Sequence, residues 1–246
     1  MRKIILLAAL GVLVSATSAS AQATIATGRH DLSASTAGLQ TTALGGQTCV
    51  FCHTPHSGLT TVPLWNRTAP LSTYQLYAST TLDSATPTLG AVRSSVSGAC
   101  LSCHDGTIGM DVLLNFGGVA RPTALATFTA TGAKATYSTQ ALGNLMTGNV
   151  GGAGGPFLGL DLRNDHPITM IYETARAATS TEFVLQVITG SKITVGASLP
   201  LPLFGSGTAT ATVECGSCHN PHSNINAPFL RKSNANSALC LTCHVK

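Results

Sequence analysis

The pattern Cys-x-x-Cys-His occurs four times, at Cys49–His53, Cys100–His104, Cys215–His219 and Cys240–His244, and it uses all eight cysteines of the chain. That complete usage constrains the fold more than any hydropathy pattern in the sequence. Two thiols three positions apart, with an imidazole directly after them, can bond one flat macrocycle at two points and ligate the metal at its centre. Disulfides within the pairs would leave the four trailing histidines unexplained. Zinc ribbons also use paired cysteines, but they do not require a histidine after each pair. The spacing therefore predicts four covalently attached c-type haems. Cys49, Cys52, Cys100, Cys103, Cys215, Cys218, Cys240 and Cys243 form the thioethers, and His53, His104, His219 and His244 are the proximal iron ligands.

The chain has eight histidines, so four remain: His30, His56, His166 and His222, one for each second iron face. These are the predicted distal ligands. Methionine is the competing soft ligand, and Met110, Met146 and Met170 are read as core fillers. Residues three apart on a helical turn project from one face. His56 therefore cannot cap the haem that His53 binds and must reach a neighbouring one, with Pro55 stiffening its exit. His222 repeats this arrangement behind Pro221. The repetition suggests an exchange, in which His56 serves the Cys215–Cys218 haem and His222 the Cys49–Cys52 haem. Pro167 biases His166 toward an extended backbone, as a loop ligand. Asp161 or Asp165 either accepts a hydrogen bond from that imidazole or caps a turn.

The first 21 residues read as an export signal: Arg2 and Lys3, an apolar run from Ile4 to Val14, then small residues, with cleavage after Ala21 or Ala23. Residues 22–246 form a single domain, with haem pairs at 49–104 and 215–244 and a haem-free insert at about 110–214. The halves share an order of parts: "CVFCHTPHSG", "PLWNR" and "CLSCH", then "CGSCHNPHSN", "PFLRK" and "CLTCH". In the insert, "GNVGGAGGPFLG" marks a glycine-rich loop. The runs flanking Thr189-Gly190-Ser191 in "EFVLQVITGSKITVG" are a hairpin candidate. Only 9% of residues are charged and 5% aromatic, so a conventional side-chain core would be thin. The predicted fold is mostly irregular, with short α-helices at the attachment sites and one β-hairpin, a compact multihaem cytochrome c organised around four stacked haems. A formal charge of +4 gives no basic footprint for nucleic acid, and no later apolar run is long enough to span a membrane.

In order, "RHDLS", "CVFCHTPH", "PLWNR", "CLSCHDGT", "DLRNDHPI" and "CGSCHNPH" resemble the tetrahaem c-type cytochromes of metal-reducing bacteria, over about Arg29 to His244. The likeness is weakest from Arg121 to Gly159. Some members of that family polymerise into extracellular filaments. The resemblance implies bis-histidine ligation at every haem and, in the filament-forming members, one axial histidine from the neighbouring subunit. It points to electron transport in extracellular respiration, at the cell surface or beyond, with the periplasm as the other location. The implied partners are copies of the chain itself, joined head to tail, and other multihaem cytochromes or extracellular electron acceptors. His30, on a polar arm near the mature N-terminus, either completes a haem of the next subunit or folds back onto its own. The alternative function is a reductase with one five-coordinate haem, which makes one spare histidine a bystander.

Overall fold

The computed structural model describes residues 28–33, 46–60, 62–110, 112–116, 156–190 and 192–245, with Ile25, Gly118, Met146 and the backbone of residues 39–40 and 129–130. The export segment, residues 148–155 of the glycine-rich loop and Ser191 of the hairpin turn lie outside the described residues.

Helix α1 (Leu89–Arg93) starts where the Thr88 hydroxyl accepts the Ala91 N–H. Helix α2 (Val96–His104) starts where the Ser95 hydroxyl accepts the Ser97 and Gly98 N–H groups. Both are side-chain caps, which satisfy donors that a helix start leaves unpaired. Helix α3 spans Tyr172–Ala178, and α4 is the single turn Cys215–Cys218. The other two attachment motifs ride on 3-10 turns, Cys49–Phe51 and Cys240–Thr242. Short helical turns thus carry all four motifs, as the sequence predicts.

The strands are β1 (Leu39–Gln40), β2 (Thr129–Ala130), β3 (Met170–Ile171), β4 (Gln186–Thr189), β5 (Lys192–Val195), β6 (Leu201–Leu203) and β7 (Thr212–Val213). These strands pair antiparallel, β1 with β2, β3 with β7, and a sheet in the order β4-β5-β6. The predicted hairpin is β4–β5, with Gly190 at φ +60° in its turn, a conformation glycine adopts without steric cost. The third strand is not foreseen. Pro202 of β6 donates no N–H, and β6 lies at the sheet edge, where that loss is tolerated.

Ile193 and Val195 alternate inward along β5 and pack with Leu201, Leu203, Tyr172, Ala211 and Leu239. A second cluster joins Val50, Phe51, Met110 and Leu113, so Met110 is a core filler as expected. A third gathers Tyr74, Val92, Leu101 and Leu162. Side-chain burial is thus split among small clusters, two of which have cysteines of the attachment motifs packed against them. Among the described residues no helix is long and apolar enough to cross a membrane.

At the joint between α1 and α2 backbone approaches backbone closely. A Cβ at Gly98 would lie 2.5 Å from the Arg93 carbonyl oxygen and 2.6 Å from that of Val92. Neither oxygen belongs to a flexible side chain, so the backbone itself must move. Gly98→Ala is expected to destabilise the protein by about 1–3 kcal/mol, read as a lower denaturant midpoint.

Candidate functional site

Each attachment motif is clasped by a returning segment of chain. The Asn66 N–H donates to the Cys52 carbonyl, the Arg231 N–H to Cys218 and the Val184 N–H to Cys243, each at 2.9 Å. In the two halves of the repeat the clasp is the same residue for residue. Thr54 N–H donates to Leu64 O and Asn220 N–H to Phe229 O, while His53 faces Trp65 as His219 faces Leu230. Leu64 and Phe229 both take positive φ, 58° and 62°, an uncommon conformation for such residues. The match of "PLWNR" with "PFLRK" is therefore a match of structure.

What the clasp delivers is a hydrogen-bond acceptor. His53 Nδ1 lies 3.0 Å from the Pro63 carbonyl oxygen and His219 Nδ1 3.0 Å from that of Pro228. His104 Nδ1 lies 2.5 Å from Pro156 O, and His166 Nδ1 2.8 Å from Pro167 O. A carbonyl can only accept, so in the neutral ring Nδ1 carries the proton and Nε2 keeps its lone pair. That is the tautomer a metal-binding imidazole needs. The acceptor for His166 is thus a backbone carbonyl. Asp161 is engaged elsewhere, paired with Arg163 at 2.7 Å.

The histidines face one another across motifs. His30 and His104 have ring centroids 6.2 Å apart with planes at 83°, His53 and His222 6.1 Å apart at 19°, and His166 and His244 6.4 Å apart at 65°. Every pair joins one proximal to one distal residue of the sequence reading. His222 faces His53, in the other half of the repeat. His30 is seated within its own chain, stacked at 4.5 Å on Phe229, and burial beside His104 holds its pKa down at about 4. His56 and His219 are both exposed, and among the described residues no histidine ring faces either at such a separation.

The cysteines follow a linear order. Cys52 and Cys103 pack on one core cluster, the Cys100 and Cys215 thiols lie within hydrogen-bond reach, and Cys218 and Cys243 pack on another cluster. The motifs therefore adjoin in chain order, first to second, second to third, third to fourth. All eight thiols are free. Burial pushes the Cys52 and Cys243 thiols up to about 12. Among the described residues no group of three or more His, Cys, Asp or Glu side chains gathers to hold a bare metal ion.

Arg67, 1% exposed, underlies the first two motifs. Its guanidinium donates to the carbonyls of Met110 at 2.8 Å, Ser102 at 3.0 Å and Gly109 at 2.7 Å, and to the Ser102 hydroxyl at 3.3 Å. The sequence reading did not foresee Arg67 or the proline carbonyls. The "PLWNR"/"PFLRK" repeat was their only signal, and it shows that the segments correspond without showing what they touch.

Residues 208–246 match the family described as Doubled CXXCH motif, which indicates covalent attachment of c-type haem. Comparison with curated proteins gives no match.

Arg67→Lys keeps the charge but cannot span the carbonyls that the planar fork reaches. With at least one buried acceptor left unpaired, stability is expected to fall by about 1–3 kcal/mol in chemical denaturation.

Proposed function

We propose that this protein is an electron carrier with four c-type haems, each ligated by two histidines, working as an exported protein in extracellular respiration. Two imidazoles on opposite faces of one iron, each bonded at about 2 Å, have ring centroids about 6 Å apart. The separations of 6.2, 6.1 and 6.4 Å in the facing pairs carry the reading. The donor chemistry fits as well, with free thiols at each motif and Nε2 lone pairs freed by the Nδ1–carbonyl bonds. Haem held by these thiols and imidazoles would supply a one-electron couple. The polypeptide orders the attachment points in a row and holds the ligand rings in register.

The pairing also bears on assembly. His30 faces His104 of its own chain, which supports the fold-back alternative for that residue. The set left over is His56 and His219. In this reading the exposed His56 of one chain faces the exposed His219 of the next, completing the fourth ligand pair. A contact between two different surfaces that does not close on itself generates a filament. The same unfaced His219 favours a second reading, a reductase whose third haem keeps an open iron position.

Electron microscopy and spin state separate the two. His56→Ala is expected to abolish filaments and leave one haem per chain high-spin, whereas a filament reading does not survive normal filaments with every iron low-spin in that variant. High-spin iron that persists in the assembled wild type marks the reductase.

Ligand geometry gives a second test. Perpendicular imidazole planes leave the iron d-orbitals nearly degenerate and produce a low-spin electron paramagnetic resonance signal with one large g value, while parallel planes produce a rhombic one. The oxidised holoprotein should contain four haems by intact mass, a large-g signal from His30/His104 at 83° and a rhombic signal from His53/His222 at 19°. Fewer haems, or a spectrum without both signals, would refute the ligation.

A further inference from the structure

Glu214 is a carboxylate only 2% exposed, at the joint between the second and third attachment motifs. It is the N-cap of α4, where its backbone carbonyl accepts the Ser217 N–H at 2.8 Å and its own N–H donates to the Ser217 hydroxyl at 3.0 Å. The same carboxylate reaches across to the start of α2. It accepts the Ser97 N–H at 3.2 Å, the Ser97 hydroxyl, the Thr169 hydroxyl at 3.2 Å and the Thr212 hydroxyl at 2.7 Å. Ser97 Oγ donates to this carboxylate and also receives the Cys215 N–H at 3.0 Å. Donors from Ser97, Thr169 and Thr212 thus converge on one buried carboxylate. No cation neutralises it: among the described residues the ion pairs are Arg163–Asp161 and Arg176–Glu173.

The position of this charge is what matters. Ser97 lies on α2 one turn before Cys100, Glu214 directly precedes Cys215, and the thiols of Cys100 and Cys215 adjoin. Asp105, 2% exposed and hydrogen-bonded by the Tyr74 hydroxyl at 2.6 Å, adds a second buried carboxylate directly after His104. Cations lie at the flanking joints: Arg67 donates to the Ser102 carbonyl at 3.0 Å, Arg231 to the Gly216 carbonyl at 2.6 Å and Lys232 to the Thr242 hydroxyl at 3.0 Å.

We infer that Glu214 is a tuning residue that lowers the reduction potentials of the two inner haems relative to the outer ones, placing an electrostatic rise at the centre of the electron path. The inference rests on the proposed haem ligation. Reduction adds one electron at iron and makes or breaks no bond, so the local charge falls by one. A fixed anion nearby opposes that change, and in a buried setting it is weakly screened.

A tie between two helices would account for Glu214 without any effect on potential. The two roles separate in Glu214→Gln, which keeps volume and removes charge, and Glu214→Asp, which keeps charge and shortens the tie. In the holoprotein, a potentiometric titration followed by electron paramagnetic resonance reads the inner His30/His104 signal beside the outer His53/His222 signal. With Gln the inner signal is expected to titrate at a more positive potential, by a larger shift than the outer one. With Asp it stays close to wild type. An unmoved inner signal in Gln, or equal shifts in Gln and Asp, reduces Glu214 to a tie. Should Gln fail to load haem, Thr212→Val decides. It removes one donor and leaves the charge less dispersed, so the inner signal moves to a more negative potential, and no shift or a positive one overturns the inference. A wild type that lacks four haems or the two low-spin signals refutes the ligation itself, before any variant is made.

Discussion

Holding one nitrogen of an imidazole decides what the other can do, and the rest of this structure follows from that bond. Nδ1 of His53, His104 and His219 each meets a proline carbonyl, delivered by a segment that returns alongside its motif. The return strand is itself anchored to the motif backbone, through Cys52 and Cys218 in the two halves and through the His104 carbonyl, which accepts the Leu158 N–H at 2.8 Å. A ring held at one end by a backbone acceptor keeps both its tautomer and its aim. Small clasps of this kind, each local to one motif, replace the long sheets or helices that position ligands in other folds.

The clasps also explain why so thin a core suffices. The apolar clusters are small and sit beside the cysteines, where Cys52 and Cys103 share one set of side chains and Cys218 and Cys243 another. Burial stabilises by the area of apolar surface removed from water, whichever atoms carry it. Side chains placed around attachment points are therefore placed to cover whatever those points hold. Gly216 shows how closely the protein is drawn in: a Cβ there would lie 2.9 Å from the Phe204 ring and 3.1 Å from Val96.

Much of the site was legible because spacing in the sequence became spacing in space. Cysteine pairs three apart share a helical turn, as at α4, and the β-branched runs around Gly190 became the β4–β5 hairpin. His222 faces His53, in the other half of the repeat. Partner choice over long distances was less legible. His30 and His104 meet through chain packing that no local pattern encodes, and Phe229, which stacks on His30, looks like any other apolar residue. The carboxylates near His166 were plausible acceptors by chemistry, yet Asp161 pairs with Arg163 and the imidazole with the Pro167 carbonyl. Buried charges escaped for a similar reason. Arg67 and Glu214 are single residues whose meaning comes from the donors and acceptors that surround them.

The facing pairs join distant parts of the chain: residue 30 to 104, 53 to 222 and 166 to 244. Under the proposed ligation each pair becomes a cross-link through iron, closing a loop that the unfolded chain leaves open. Loop-closure entropy grows slowly, by about 0.6 kcal/mol per doubling of length, so a link across most of the chain gains little over one across a third of it. What the long links add is topological. The His53–His222 pair binds the first half of the repeat to the second, beside the contacts of Glu214 with Ser97 and of His30 with Phe229. Removing the His222 ring would therefore open the first motif toward solvent while leaving its own clasp at Pro63 intact. Ligand loss and unfolding are thereby separable, because the acceptor that orients His53 comes from its own half of the chain and the ring that faces it comes from the other.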